Sequence, residues 1–280
     1  NLGKGRFEDI TERAGVALSD VIGVTASFAD IDNDGDADLF ATSVRGGNVL
    51  FENDGTGRFT DITASSGLEY TGHSSAAVFF DYDRDGLLDM YLCNVGTYTT
   101  DERLRILDDS ATKHYAPGEY SYYEGMNDAF AGQLKPERFE SSRVYRNLGK
   151  KRFEDVTKEL GFEEDHSWTG DACPLDLNRD GWIDLYVLNM QGHDEYYENF
   201  EGKSFVKRSR EIFPATPWGS MGIQVFDFDN DGALDIYITD MHSDMSECIE
   251  PDREMLKADM QYAESILDRR GIQSIYGNAF

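Results

Sequence analysis

Residues Phe28 to Phe40 read FADIDNDGDADLF. The stretch recurs as FFDYDRDGLLDMY from Phe79, PLDLNRDGWIDLY from Pro174 and VFDFDNDGALDIY from Val225. Each copy is Asp-x-Asp/Asn-x-Asp-Gly-x-x-Asp set between apolar residues. Oxygen ligands at alternate positions, a glycine for a sharp turn and one further carboxylate make a site for a hard cation. The first Asp of each copy is Asp30, Asp81, Asp176 or Asp227, so the spacings are 51, 95 and 51 residues. A fixed period of this size marks a repeat architecture, here with one enlarged copy.

A second element alternates with the first: NLGKGRFEDIT from Asn1, NDGTGRFTDIT from Asn53, NLGKKRFEDVT from Asn147 and the looser NFEGKSFVKRS from Asn199. The unit that starts near Val24 predicts four short strands. VTASFA enters the Asp-rich bend, ADLFATS leaves it, NVLFE follows, and GRFTDI comes after an Asn-Asp-Gly hairpin turn. The expected fold is therefore all-β: a β-propeller of four-stranded antiparallel blades whose core forms where neighbouring blades stack. Blades are expected over about 24–62, 76–156, 170–207 and 221–280, with residues 5–10 adding a strand. The rival fold is a string of helix-loop-helix calcium hands. Those loops need Glu at the twelfth position, where this chain has Ala41, Leu92, Val187 and Ile238, and its exit segments are β-branched and aromatic.

Two insertions break the period, over about 97–141 and 241–275. The first carries Tyr98, Tyr115, Tyr120, Tyr122 and Tyr123. In the second, Pro251 at a first turn, apolar residues at Met255, Met260, Ala263 and Leu267, and a stop at Gly271 predict a short helix. The final GNAF matches GNVL from Gly47, so the chain ends inside a third-strand motif. Two arrangements fit: a closed four-bladed ring latched by Arg6 to Ile10, or about four repeats of a larger propeller. The second is the expectation.

The 54 acidic and 26 basic residues give a net charge of −28, which disfavours nucleic acid and anionic membrane as partners. Fifteen of the sixteen residues at the first, third, fifth and ninth loop positions are Asp, so the acids are organised rather than gathered in a tail. No apolar run is long enough to span a bilayer. Cys93, Cys173 and Cys248 are too few, and odd in number, for a disulfide framework. The chain starts without Met, which leads to the expectation of a processed or cut N-terminus.

Up to four Ca²⁺ ions are expected, since an all-oxygen, carboxylate-rich set favours Ca²⁺ over Mg²⁺. The first loop would use Asp30, Asp32, Asp34 and Asp38 with the Asp36 carbonyl. The second would use Asp81, Asp83, Asp85 and Asp89 with the Leu87 carbonyl. The third would use Asp176, Asn178, Asp180 and Asp184 with the Trp182 carbonyl, and the fourth Asp227, Asp229, Asp231 and Asp235 with the Ala233 carbonyl. Asn178 removes one charge, which predicts that the third site is the weakest.

These motifs resemble the FG-GAP repeat family, also called VCBS repeats. Together with TPWGSMG and MHSDMS, they are most similar to bacterial members related to cartilage acidic protein 1, which often carry an ASPIC/UnbV domain. The resemblance implies a calcium-binding, non-catalytic scaffold outside the cell, secreted, surface-bound or periplasmic. Its partner is expected to be a protein or a glycan, met through the insertions. An enzyme or enzyme subunit, polysaccharide-processing or redox, is the alternative, and a purely structural module of a larger assembly is a third. Among the histidines, His73 and Trp168 both lie eight residues before a first loop Asp, which favours a structural role for His73. The enzyme reading requires His114, His193 or His242 to meet a carboxylate in a deep pocket; His166 carries no motif.

Overall fold

Period-two alternation on either side of each Asp-rich bend yields a hairpin in all four copies. The computed structural model describes residues 1–97, 99–100, 121–122, 140–162, 168–217, 219–241, 273–275 and 279. A helical turn, α1 (Thr11–Ala14), precedes the first blade. That blade is β1 (Ile22–Ala29), β2 (Asp38–Arg45), β3 (Val49–Asn53) and β4 (Phe59–Asp61), hydrogen-bonded in chain order. After α2 (Thr63–Ser66) the second blade begins with β5 (Ser74–Phe80) and β6 (Asp89–Asn94). Its insertion contributes the small pair β7 (Thr99–Thr100) and β8 (Ser121–Tyr122), and β9 (Arg143–Asn147) and β10 (Phe153–Asp155) then complete the sheet.

The third blade is β11 (Trp168–Leu175), β12 (Asp184–Gln191), β13 (Glu195–Phe200) and β14 (Ser204–Lys207). Beyond α3 (Ser209–Ile212) and β15 (Ala215–Pro217), the fourth copy has β16 (Ser220–Phe226) and β17 (Asp235–Asp240). A last strand, β18 (Gln273–Ile275), runs parallel to β15. Ala279 bridges Ile238 where a third strand belongs. The register confirms this place: Ala41 faces Val49, Leu92 faces Arg143 and Val187 faces Glu195, all at the twelfth loop position. The residues that exclude a calcium hand are thus the ones that start the third-strand pairing.

Each strand sends alternate side chains to its two neighbouring blades. In β6, Met90 and Leu92 join a core with the first blade, while Tyr91 and Cys93 join one with the third. In β12, Leu185 and Val187 face the second blade, and Tyr186 and Leu188 face the fourth. Short turns after the blades lock onto the next blade along. Gly67, at φ 85°, passes so close to Phe153 that an added Cβ would lie 2.4 Å from its carbonyl oxygen.

The expected strand over residues 5–10 does not form. Leu2 N–H donates to Arg6 O at 2.8 Å, and Gly3 and Arg6 make an isolated bridge, so the hairpin tip is present. Beyond it Phe7 is 75% exposed, and among the described residues this segment pairs with no third strand. A fourth strand needs that neighbour to bond with, and among the described residues none lies beside this segment. The expected helix over 251–271 lies outside the described residues, as do Cys248 and the side chains of the Tyr-rich insertion.

A polar seam joins blades at the end remote from the acidic loops. Between the first and second blades Asn48 Nδ2 donates to Ser74 Oγ at 2.9 Å, and Ser74 Oγ donates to Asn94 Oδ1 at 2.8 Å. Between the third and fourth, Asp194 takes the place of Asn48. It accepts from Ser220 Oγ at 2.6 Å, Asn189 N at 2.9 Å and Tyr186 Oη at 3.2 Å. Its side chain is fully buried, and that burial pushes its carboxyl up to about 7. A folded-state value above the unfolded one means that its stabilising effect is complete below about pH 4 and is lost as pH rises through about 7. Asp194→Asn is therefore expected to flatten the fall in stability between about pH 4 and pH 7, by up to about 1.4 kcal/mol per pH unit, in urea unfolding read by circular dichroism.

Candidate metal centres and their setting

The acidic bends share one local design. The first Asp caps the turn: Asp30 accepts from Asp34 N and Gly35 N, Asp176 from Asp180 N and Gly181 N, and Asp227 from Asp231 N and Gly232 N, at 2.8–3.2 Å. In the second loop Gly86 N donates to Asp81 at 3.0 Å. The fifth-position carboxylate holds the seventh-position amide, from Asp36 to Asp34, Leu87 to Asp85, Trp182 to Asp180 and Ala233 to Asp231. The fourth residues, Asn33, Arg84, Arg179 and Asn230, sit in the left-handed region at φ 60–61°. These bonds turn the bend inward and aim its carboxylates at one another.

Carboxylate oxygens of Asp30, Asp32 and Asp34 lie within 4.8 Å of one another, as do those of Asp81, Asp83 and Asp85, and of Asp227, Asp229 and Asp235. Asp32 Oδ1, Asp36 Oδ1 and Asp81 Oδ1 are buried and accept no hydrogen bond. Burial, then the nearby Asp34, Asp32 and Asp30, push Asp36 upward; burial and Asp85 do the same to Asp83. Orphaned oxygens in a cluster of mutually repelling carboxylates fit a hard divalent cation. Such an ion would supply charge neutralisation and tie the bend together.

The ninth-position Asp has a second duty. Asp38 accepts from Ile31 N and Asn53 N, Asp89 from Tyr82 N and Asn147 N, and Asp184 from Leu177 N and Asn199 N. It therefore fixes the loop to the third strand of its own blade. Burial pushes Asp89 up to about 7, and Asp38 and Asp184 upward as well. In the first two loops the described clusters comprise the first, third and fifth residues; in the fourth loop Asp235 itself takes part.

The repeated Asn clamps one blade to the next. Asn147 Nδ2 donates to Leu88 O of its own loop and to Ile31 O of the preceding one, at 3.1 and 2.8 Å. Asn199 Nδ2 does the same to Ile183 O and Tyr82 O, both at 2.9 Å. The recurrence of Asn was visible in the sequence, but its reach across the seam was not.

Residues outside the motif set the charge of each loop. Lys151, from the second blade, bonds Asp32 Oδ2 at 2.8 Å and also Glu52, and these two raise its pKa. Arg146 lies 3.8 Å from Asp83. In the third loop Asn178 Nδ2 donates to Glu198 Oε1 at 3.2 Å, so a carboxylate stands beside the position that lacks one. Counting acids within the motif therefore misses two cations at the first and second loops and an anion at the third.

A separate polar node lies where the first insertion returns. Glu140 accepts from His73 N at 2.6 Å, Tyr70 Oη at 3.1 Å and Thr97 Oγ1 at 3.1 Å, and pairs with His73 Nδ1 at 2.5 Å. Burial alone would raise Glu140, but the bonds from His73 outweigh it and hold the carboxyl below its ordinary value. A cavity of about 460 Å³ nearby is lined by Gly46, Asn48, Asp61, Thr63, Glu69 and Tyr70, among others, with no histidine or cysteine. Of the histidines named in the sequence reading, His193 offers its backbone carbonyl to Asn189 Nδ2 at 2.6 Å, while His114, His166 and His242 lie outside the described residues.

In-register hairpins stacked as blades, three of their bends carrying converging carboxylates, are the arrangement of a β-propeller of four-stranded antiparallel repeats. Residues 30–92 and 176–238 match the FG-GAP-like repeat family. It is also similar to cartilage acidic protein 1: 24% identical to the Xenopus tropicalis protein over 226 residues, covering 74% of this chain and 33% of that one. For the Mus musculus and Homo sapiens proteins the identities are 22% and 23% over 234 residues, covering 76% of this chain and 36% and 35% of theirs. The chain thus spans about a third of the length of the curated relatives it matches. Among the described residues, no helix is long and apolar enough to cross a membrane.

Lys151→Met is expected to raise the affinity of the first loop for Ca²⁺ about three- to fivefold, the scale of one partly exposed ion pair, in isothermal titration calorimetry. Asn199→Ala is expected to cost about 1–3 kcal/mol in denaturant unfolding, because Tyr82 O loses its bond across the seam.

Proposed function

We propose that the chain is a calcium-stabilised, non-catalytic propeller scaffold that works outside the cell and presents the insertion-bearing end of its blades to a protein or glycan partner. The observation that carries this reading is the set of buried, unbonded carboxylate oxygens, Asp32 Oδ1 and Asp81 Oδ1, inside clusters of like charge. Asp30, Asp32 and Asp34, Asp81, Asp83 and Asp85, and Asp227, Asp229 and Asp235 would hold ions; Asp176, Asn178 and Asp180 would complete a fourth site. The similarity to a protein named for cartilage supports an extracellular setting. So does the chemistry, since carboxylate loops of modest rigidity suit the millimolar calcium found outside cells.

Partner recognition falls to the other end of the blades. The first insertion leaves after β6 and returns at β9, between second and third strands, so it emerges opposite the acidic bends. The enzymatic alternative draws less support. His73, which pairs with Glu140, occupies the repeat position of Trp168 and braces the root of the insertion.

Thermal unfolding in calcium and in EGTA tests the reading. Each site contributes about 1.4 kcal/mol when free calcium is tenfold above its dissociation constant, so the midpoint should rise by several degrees. Magnesium at equal concentration should give a smaller rise. Equal midpoints in calcium and EGTA would overturn the proposal.

A further inference from the structure

Consecutive acidic loops touch through one repeated position. Asn33, the fourth residue of the first loop, donates from Nδ2 to Gly86 O of the second at 2.8 Å. Arg84, the fourth residue of the second, lays its guanidinium 4.2 Å from the centroid of the Trp182 ring in the third. Arg179, the fourth residue of the third, donates to Gly232 O of the fourth. All three residues have φ near 60°, a conformation imposed by the bend between the third- and fifth-position ligands. Each contact lands on the Gly or on the residue after it. The peptide between those two residues donates to the fifth-position carboxylate, as Leu87 N does to Asp85 at 2.8 Å and Ala233 N to Asp231 at 2.6 Å.

Resting on the cation reading above, we infer that the loops load as a coupled chain, in which the fourth-position side chain of one loop senses whether the next is filled. A bound ion fixes the fifth-position carboxylate, and with it the peptide at the Gly. That peptide is the acceptor or platform for the neighbour's fourth residue, which stands between two of the neighbour's own ligands. Order in one bend therefore lowers the conformational cost of ordering the bend before it, which is positive coupling. Arg84 and Arg179 carry this contact between the second, third and fourth loops, and Asn33 between the first and second. Removing the fourth-position side chain should uncouple neighbours without removing a ligand.

Trp182 is a built-in reporter of the third loop. Protein labelled with 5-fluorotryptophan, with its resonance assigned through Trp182→Phe, is titrated with CaCl₂ and followed by ¹⁹F NMR. Disabling the fourth loop with Asp229→Asn and Asp231→Asn should move the Trp182 midpoint to calcium concentrations about fivefold higher or more. Arg179→Ala should produce the same shift with all four loops intact, and adding the fourth-loop changes to it should shift the midpoint no further. A Trp182 midpoint indifferent to the fourth loop, with calcium still binding, would overturn the coupling alone. A Trp182 resonance that never responds to calcium would overturn the cation reading and the coupling with it. Circular dichroism of each variant in EGTA keeps misfolding separate, because a variant that has lost its β-sheet signal is replaced by Asp231→Ser, for which the same two outcomes apply.

Discussion

Carboxylates brought to one point repel, and the chain meets that repulsion at the tip of every first hairpin. At 4 Å, two unit charges near a protein surface interact by about 4 kcal/mol, which is large beside the stability of a domain. The bend offsets part of this through amides: the first Asp caps two N–H groups in three of the four loops, and the fifth takes one more. Neighbouring strands supply Lys151 and Arg146 at two loops. What remains unanswered is the charge at Asp32 Oδ1, Asp36 Oδ1 and Asp81 Oδ1, which are buried and accept no hydrogen bond.

The same acids connect to the packing between blades. The ninth-position Asp pins the third strand through the amide of Asn53, Asn147 or Asn199, and in the last two the Asn side chain grips a carbonyl of the preceding loop. Below that grip lie the second-position residues Ile31 and Tyr82, both almost fully buried. Where no such neighbour is described, in the fourth loop, the equivalent Phe228 is 61% exposed. Electrostatics at the bend and apolar burial in the seam thus act on the same few residues.

Most of this architecture was readable in the chain. Alternation around the four bends gave strand positions and blade order, because a period of two and a period of about 51 residues are both written directly in the residues. Among the described residues the strand expected over 5–10 is not formed, for a reason outside its own sequence: NLGKGRFEDIT has the same hairpin tip as NLGKKRFEDVT, but β9 lies beside the latter and no described third strand beside the former. The electrostatic setting of each loop was also hidden. Glu198 lies twenty residues beyond Asn178, and Lys151 belongs to a different blade from Asp32, so neither could be placed before the third strand was registered. The Glu140 node was invisible because it sits at the edge of the insertion, where the repeat offers no template.

The antiparallel order of each sheet puts its acidic bend and its second-to-third-strand connection at opposite rims. One rim is crowded with mutual obligations, each bend touching the next, so any lengthening there would disturb several neighbours at once. The other tolerates additions of some forty residues at a single connection while β6 and β9 stay paired. Evolution working on such a molecule can lengthen that rim without touching what keeps the blades upright, and diversity among its kin should concentrate there.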